Sequence, residues 1–397
     1  MKKIIILPVV FALLLGTAVP AQAATTSLEY SGWIPYWKAK DGARDAQKHL
    51  DQLTEINPFV YSVKNDGTIQ DLGKMKSSTW KKLLKAAYKD DVRVVPTIMW
   101  SDTASIDRIL RDPKLRAAHI KEIVAVVEKN KYDGIDIDYE GKKAETKEYF
   151  SLFLKELDVA LGSKWLSCTI EPRTPVADRY TGTPPAAAYQ FANDFRSIGA
   201  ACDTVRLMTY DQQTIDQKLN AANAGKPYVP VADPKWTEKV VALTAKDIQK
   251  SKIVIGVATY GREWNVTVSP TGKITYSAVS SFNPNYADDI EDEYDVERSR
   301  NSAGEQIITY LKDDDAVSQT SLIKKAPSGT PTGELVSEGA KAYAKSSNTS
   351  VTYRMLWWSD AGAMEQQVAL AKRLGVRGVA VFKFDGGEDR GIWDALQ

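Results

Sequence analysis

The stretch Tyr132-Asp-Gly-Ile-Asp-Ile-Asp-Tyr-Glu140 has the pattern of a strand that is covered on both faces. Because side chains alternate along a strand, Asp136, Asp138 and Glu140 project to one side, and two isoleucines and a tyrosine project to the other. In a closed barrel the acidic set would point inward and the apolar set would pack beneath helices. An exposed acidic edge strand is the alternative, but it would not carry isoleucines on its second face.

Further β-rich runs occur on both sides of this stretch, and segments with helical periodicity follow them. In one such segment, Ile120, Ile123, Val124 and Val127 repeat at the spacing of one helix face. The alternation predicts an α/β fold, a (β/α)8 TIM barrel, with a doubly wound open sheet as the competing fold. The eight predicted strands are residues 30–37, 58–63, 92–99, 134–139, 165–170, 204–209, 253–259 and 378–384.

Residues 265–354 break the alternation between the seventh and eighth predicted strands. This length is too great for a barrel loop, so we predict a small α+β insertion domain. The barrel would then consist of residues 24–264 and 355–397. An acidic run at 288–295 is interpreted as a solvated face of the insertion rather than a cation site.

The N-terminus has the pattern of a signal peptide, residues 1–23. Lys2 and Lys3 precede an apolar run, and Ala21-Gln22-Ala23 has the small-x-small form of a cleavage site. An uncleaved membrane anchor is the alternative, but the run is shorter than the ~20 residues of a spanning helix. We therefore expect cleavage after Ala23 and a secreted, extracellular or cell-envelope protein without stable membrane insertion.

Charge and composition exclude several function classes. The chain has 52 Lys and Arg against 51 Asp and Glu. Such a near-neutral surface offers no footprint for nucleic acid or anionic lipid, so a neutral polymer suits it better as a ligand. We also expect a monomer. The two histidines, His49 and His119, have no partner cluster, so we expect no metal, no cofactor and no Ser-His-Asp triad. Whether Cys168 and Cys202 form a disulfide stays open, because sequence does not supply the geometry.

The three inward carboxylates predict acid–base chemistry. Side by side they would repel one another if all were ionised, which protein environments relieve by raising one or more pKa values. Glu140 lies nearest the C-terminal end of its strand, where barrel active sites are built, and is the candidate proton donor. Asp136 and Asp138 would hold charge behind it. A Ca²⁺ or Mg²⁺ site is the alternative, but it would be expected to draw ligands from a loop.

These residues resemble a known family. Asp133-x-x-Asp136-x-Asp138-x-Glu140, with Gly134 inside it, matches the DxxDxDxE signature of glycoside hydrolase family 18, the chitinase-like enzymes. The resemblance covers most of the chain after residue 23. Its further segments are Met208-Thr-Tyr-Asp211, Ile255-Gly-Val-Ala-Thr-Tyr-Gly261, Leu356-Trp-Trp-Ser-Asp360 and Gly378-Val-Ala-Val-Phe382.

The resemblance implies a retaining, substrate-assisted mechanism, which departs from the two-carboxylate scheme of most glycosidases. Glu140 would protonate the glycosidic oxygen, and the substrate's own acetamido oxygen would attack the anomeric carbon. Asp138 would hold the acetamido N–H, Asp136 would share a proton with Asp138, and Tyr210 would donate to the acetamido oxygen.

The resemblance also suggests substrate-binding residues. Met208 and Asp211 would accompany Tyr210, and Trp100 would line the leaving-group subsite. Phe382 stands where the family usually has the Trp that floors the site, and Tyr36 and Trp357 are further candidates for sugar contact. The roles of Trp33, Trp37 and Trp264 stay open, because an aromatic in a strand is more often core than sugar platform. The third strand also departs from the family, since Thr97-Ile-Met-Trp100 replaces the common S-x-G-G.

The sequence thus predicts an exported hydrolase of β-1,4-linked N-acetylglucosamine polymers, either chitin or the glycan of peptidoglycan. The two departures from the family pattern lean toward the peptidoglycan-acting members. One alternative is an endo-β-N-acetylglucosaminidase on N-glycans. Another is a non-hydrolytic lectin on the same barrel, but such lectins usually replace the residue at the Glu140 position.

Overall fold

The computed structural model describes residues 27–312 and 317–397, so the predicted signal peptide lies outside the described residues. Eight parallel strands close into a barrel, because the first strand pairs with both the second and the last. This confirms the predicted TIM barrel and excludes an open sheet. The barrel strands are β1 (Glu29–Pro35), β2 (Glu55–Val63), β3 (Thr97–Trp100), β4 (Gly134–Tyr139), β5 (Trp165–Ile170), β6 (Thr204–Leu207), β7 (Ile253–Ala258) and β8 (Gly378–Phe382).

Amphipathic helices cover the outside of the barrel. The helix Pro113–Asn130 shows why they form: Asp112 accepts hydrogen bonds from two backbone N–H groups of its first turn, at 2.8 and 3.0 Å. Its buried residues include Ile120, Ile123 and Val127, on the predicted face. The other α-helices of the barrel are Ala39–Ala46, Ser78–Lys89, Thr103–Arg111, Lys147–Leu161, Val176–Arg179, Phe195–Ala201, Gln217–Ala222, Pro234–Thr244, Ala361–Leu374 and Ile392–Ala395.

A second, antiparallel sheet of five strands lies between β7 and β8 in the chain. It extends from 261 to 358, so it begins and ends slightly outside the predicted insertion at 265–354. Apolar clusters cover both of its faces. In spatial order its strands are Ile274–Phe282, Gly261–Val268, Val351–Trp358, Gln306–Tyr310 and Ser299–Arg300, accompanied by the helices Asn285–Tyr294, Gln319–Ile323 and Leu335–Ser347.

Two further features concern questions that the sequence raised. Cys168 on β5 and Cys202, which follows the helix Phe195–Ala201, form a disulfide with their Cα atoms 6.0 Å apart. Among the described residues, no helix combines the length and apolar character that crossing a bilayer requires.

Candidate active site

A cavity of about 710 Å³ opens at the C-terminal ends of the barrel strands, and one edge of the second sheet forms part of its wall. This is the end at which TIM barrels build their active sites, because the βα loops there are free to vary. We call this cavity the groove. The predicted site residues that line it are Asp138, Glu140, Met208, Tyr210, Asp211 and Phe382.

The beginning of β4 is fixed by Asp133 and Gly134, which do not line the groove. The carboxylate of Asp133 accepts the backbone N–H of Val94 at 2.8 Å. A Cβ on Gly134 would lie 2.1 Å from the carbonyl oxygen of Trp165, so only glycine lets β4 and β5 approach this closely. These two motif residues set the position of β4, and the carboxyls that line the groove lie at the strand's other end.

Glu140 follows β4 directly and is held by a backbone hydrogen bond from its N–H to the carbonyl of Trp100, at 2.8 Å. Its side chain is half-buried in the groove wall. Burial raises its pKa, and the negative charges of Glu171 and Asp211 add to the rise against the opposing charge of Lys142. A carboxyl group in this environment keeps its proton to higher pH than usual, which suits a general acid.

Asp138 lies behind Glu140 on the inward face of β4 and is 4% exposed. Burial raises its pKa well above the ordinary value, and the charges of Glu140 and Asp136 raise it further. One of its buried carboxylate oxygens has no hydrogen-bond partner among the described residues. Asp138 is therefore placed to accept a hydrogen bond from a group that enters the groove.

Asp136 is fully buried and surrounded by donors. Thr97 donates to its carboxylate at 2.8 Å, Thr169 at 3.0 Å and Trp33 at 3.4 Å. Arg206, inward on β6, lies 3.1 Å from it as an ion pair. Its charge is therefore compensated by protein groups.

The family resemblance implies a shared proton between Asp136 and Asp138, and this stays a prediction. In the structure the guanidinium of Arg206 lies 3.1 Å from Asp136 as an ion pair, and the charge of Asp136 contributes to the raised pKa of Asp138.

Tyr210 lies across the groove floor. Its ring stacks on Phe382 at 5.5 Å between centroids, with 22° between the planes. A Cβ on Gly256 would lie 2.8 Å from the Tyr210 ring, so glycine on β7 lets the ring lie flat against the barrel. Burial raises the pKa of Tyr210 well above its usual value, and the charges of Asp138 and Glu140 also raise it. Its hydroxyl therefore stays protonated and able to donate.

Asp211 adopts the left-handed backbone conformation, with φ of 54°. Its carboxylate accepts three hydrogen bonds from Arg262, at 2.8, 2.8 and 2.9 Å, and one from Tyr260 at 3.0 Å. Arg262 begins the second sheet, so this ion pair fixes the insertion against the end of β6. The paired carboxylate is anchored in the groove wall beside Tyr210 and Met208.

Three of the side chains predicted to contact substrate do not line the groove. Thr97 and Met99 take the inward positions of β3, so alternation turns Trp100 outward, where its ring packs edge-on against Tyr139 at 5.2 Å. Trp357 is completely buried in the core of the second sheet, where it donates to Glu305. Tyr36 packs against the neighbouring Trp37 instead of lining the groove.

The exposed aromatic residue of the groove is Trp37, whose role the sequence left open. Its side chain is 49% exposed and lines the groove, and its ring contacts Phe59 edge-on at 5.9 Å. A large exposed apolar ring at the wall of an open groove is suited to stacking against a sugar.

Sequence reasoning missed Arg206, Glu171 and Arg262. Alternation backward from Met208 places Arg206 on the inward face of its strand, and a charged inward residue is a signal that could have been followed. Glu171 directly follows β5 in the same way that Glu140 follows β4. Arg262 had no such signal, since its partner Asp211 lies 51 positions earlier.

A metal centre is not indicated within the described ranges, where no three His, Cys, Asp or Glu side chains are grouped so that they could hold an ion.

The comparisons with known proteins agree with this geometry. The model of the family "Glycosyl hydrolases family 18" matches residues 32–387. The chain is 22% identical over 232 residues to the "Uncharacterized glycosylase YvbX" of Bacillus subtilis, covering 56% of this chain and 63% of that protein. The chain therefore spans less than two thirds of this relative's length.

Solved structures share the fold. The spore cortex-lytic enzyme SleL of Bacillus megaterium superposes with a TM-score of 0.65 at 18% identity, over 93% of this chain and 73% of that one. A chitinase of Cycas revoluta, solved in complex with (GlcNAc)3, gives a TM-score of 0.65 at 12% identity, over 93% and 98% of the two chains. Because the family model covers nearly the whole described chain and the last two acidic residues of the motif, Asp138 and Glu140, line the groove, this protein belongs to glycosyl hydrolases family 18.

Proposed function

We propose that this protein hydrolyses β-1,4-linked N-acetylglucosamine polymers, chitin or the glycan of peptidoglycan, by a retaining, substrate-assisted mechanism. The observation that carries the proposal is the placement of Glu140 and Asp138, two carboxyls with raised pKa values, side by side in an open groove. A carboxyl that keeps its proton to higher pH than usual and faces a groove can protonate a glycosidic oxygen.

The other carboxylates of the groove favour substrate assistance over a protein nucleophile. Asp211 is bound by Arg262 and Tyr260. Glu171 accepts hydrogen bonds from Asn193 at 2.7 Å and from the backbone N–H of Gly141 at 2.9 Å. Both carboxylates are thus committed to protein donors, whereas the usual retaining scheme requires a free one opposite the acid. The acetamido group of the substrate supplies the missing nucleophile.

The proposed steps use three side chains. Glu140 transfers its proton to the glycosidic oxygen as the bond from that oxygen to the anomeric carbon breaks. The acetamido oxygen forms a bond to the anomeric carbon, giving an oxazolinium ion whose N–H donates to Asp138. Tyr210 orients the acetamido oxygen before the attack. Glu140, now ionised, takes a proton from water. The water oxygen bonds to the anomeric carbon as that carbon's bond to the acetamido oxygen breaks, which gives net retention of configuration.

The names of the neighbouring structures support this substrate class, because one is a spore cortex-lytic enzyme and another was solved with (GlcNAc)3. We also propose export, on the basis of the leader pattern at residues 1–23. The test is reducing-end release by residues 24–397 from chitin oligomers, intact peptidoglycan and an N-glycan with a chitobiose core, assayed side by side. Binding to any of these without cleavage would favour a lectin.

The pH dependence of cleavage is expected to change when Glu171 is replaced. Glu140 must be protonated to act, so activity is lost as pH rises through its pKa. The charge of Glu171 raises that pKa, so Glu171→Gln should move the alkaline limb of the profile to lower pH. The measurement is kcat/KM against pH, which reports the free enzyme.

Lys142→Met is the matched variant, which is expected to shift the pKa of Glu140 in the opposite direction. Lys142 is buried within the same group of charges and lowers the pKa of Glu140, so its removal should move the alkaline limb to higher pH. Shifts of the two variants in the same direction would contradict the assignment of this limb to Glu140.

Trp37→Ala is expected to raise KM for a chitin hexamer about threefold to tenfold, since an aromatic stacking contact is worth roughly 0.5–1.5 kcal/mol. Tyr88→Ala serves as control, because Tyr88 is 40% exposed on the helix Ser78–Lys89 and does not line the groove. An equal KM for the Trp37 variant and wild type would show that Trp37 does not contribute to substrate binding.

A further inference from the structure

A second cavity of about 400 Å³ adjoins the groove and shares Glu171 and Pro172 with it as a common wall. We call it the annex; among the residues that line it are Lys142, Glu171, Arg173, Arg179 and Phe191. Most of its wall comes from the segment between β5 and the helix Phe195–Ala201, which includes the short helix Val176–Arg179. Since the backbone N–H of Gly141 bonds to Glu171, the annex lies directly beside the proposed catalytic acid.

The annex has an excess of positive charge. Among the described residues, Glu171 is its one acidic lining residue, and Lys142 lies 3.4 Å from it as an ion pair. Arg173 donates to the carbonyl of Ala188 at 3.0 Å, and Arg179 donates to the carbonyl of Ile215 at 3.1 Å. A carbonyl oxygen accepts a hydrogen bond but does not neutralise a guanidinium, so neither arginine has a carboxylate partner among the described residues.

This lack of carboxylate partners is unusual in the described residues. Most arginines there form an ion pair, for example Arg206 with Asp136 and Arg262 with Asp211. The exceptions are Arg108, Arg173, Arg179 and Arg390, and two of these four line the annex.

The two charges also oppose each other. Burial lowers the pKa of Arg173, and the neighbouring charge of Arg179 lowers it further. The guanidinium of Arg173 lies 3.2 Å from the centroid of the Phe191 ring, which restricts its position. Two like charges that face one cavity repel each other, and an anion between them would relieve that repulsion.

We propose that the annex binds a carboxylate carried by the glycan that lies in the groove. This inference rests on the proposed function and narrows its substrate to a polymer with acidic substituents. Guanidinium groups match the planar carboxylate with paired hydrogen bonds. Because the groove and the annex share a wall, a substituent on a sugar bound near Glu140 can enter the annex while the glycan backbone stays in the groove. The annex is larger than a carboxylate needs. It therefore has room for a lactyl ether, or for a short peptide that is attached to the glycan through a lactyl group.

The experiment compares a neutral chitin oligomer with an oligomer of equal length that carries lactyl carboxylates on alternate sugars. Arg179→Gln is expected to lower the ratio of kcat/KM, acidic over neutral, about tenfold, because hydrogen bonds to charged groups are among the stronger ones. Arg173→Gln should do the same. Arg108→Gln is the matched control: Arg108 also lacks a carboxylate partner among the described residues, donates to the carbonyl of Asn65 and does not line the annex.

Two modified oligomers separate the sources of the carboxylate. One has its lactyl groups converted to amides, and the other carries a dipeptide that ends in a carboxylate on each lactyl group. Loss of the preference with the amide, and its return with the dipeptide, would assign the annex to the peptide as well as to the lactyl group. An unchanged acidic-to-neutral ratio in both arginine variants would overturn the proposal.

A binding measurement tests the annex independently of the proposed hydrolysis. If the wild-type protein cleaves neither oligomer, the hydrolase proposal fails, and the annex is then tested by calorimetric titration with the same two oligomers. Tighter binding of the acidic oligomer, lost in Arg179→Gln and weakened by salt, would support the annex on its own. Equal binding of both oligomers, or binding of neither, would overturn it.

Discussion

Glu140→Gln is expected to reduce kcat on chitin oligomers or peptidoglycan glycan by about a thousandfold, within the range that general acid–base catalysis contributes. The amide has nearly the same shape as the carboxyl but has no acidic proton for the glycosidic oxygen and no base for the water. Binding of the oligomer should persist, because the groove walls are unchanged. The measurements are initial rates of reducing-end release and calorimetric binding to the same variant.

Glu128→Gln is the control for this variant, since Glu128 is exposed on the outer helix Pro113–Asn130. An aryl glycoside with a good leaving group offers a second check. The aryl group needs less protonation to leave. Cleavage of the aryl glycoside by the Glu140→Gln variant should therefore fall less than cleavage of a natural oligomer. Retention of polymer cleavage within tenfold of wild type would remove Glu140 from the acid role. An initial product of inverted configuration would contradict the retaining mechanism.

Arg206→Met is expected to lower the free energy of unfolding by about 3–5 kcal/mol, the range found when one partner of a buried ion pair is removed. Arg206 lies inside the barrel between Glu55 and Asp136, and all three side chains are almost completely buried. Methionine fills much of the same volume but leaves the buried Asp136 without its cation and Glu55 with Arg93 alone. The measurement is urea unfolding at neutral pH, with wild type alongside.

Two comparisons distinguish this effect from a general loss of charge. Arg373→Met removes an exposed ion pair with Glu238, and it should change stability little, because solvent screens such pairs. Arg206→Lys keeps the charge but not the fork that reaches Ser167, Glu55 and Asp136 together, so it should restore part of the loss. A loss in the Met variant no greater than that of Arg373→Met would contradict the role given to Arg206.

The alternation of side chains along strands predicted much of the site. It placed Asp136 and Asp138 on the inward face of β4 and Glu140 at its C-terminal end, and these positions are the ones observed. The same rule places Trp100 on the outward face of β3, away from the substrate position that the family resemblance suggests, because Thr97 and Met99 occupy the inward positions. Thr97 bonds to Asp136 from the inside, and this fixes Trp100 on the outside.

The sequence by itself determined the barrel, the acidic strand and the position of the candidate acid, because these follow from local periodicity within single strands. Tertiary structure decided which groups surround that acid. The contact between Arg206 and Glu55 joins positions 151 residues apart, and the pair of Arg262 with Asp211 joins the insertion to the barrel. Which carboxylates are compensated, which aromatic ring reaches the groove and where cations are left unpaired depend on strands becoming neighbours in space. Such non-local contacts leave no periodic signal in the chain, so only the folded arrangement reveals them.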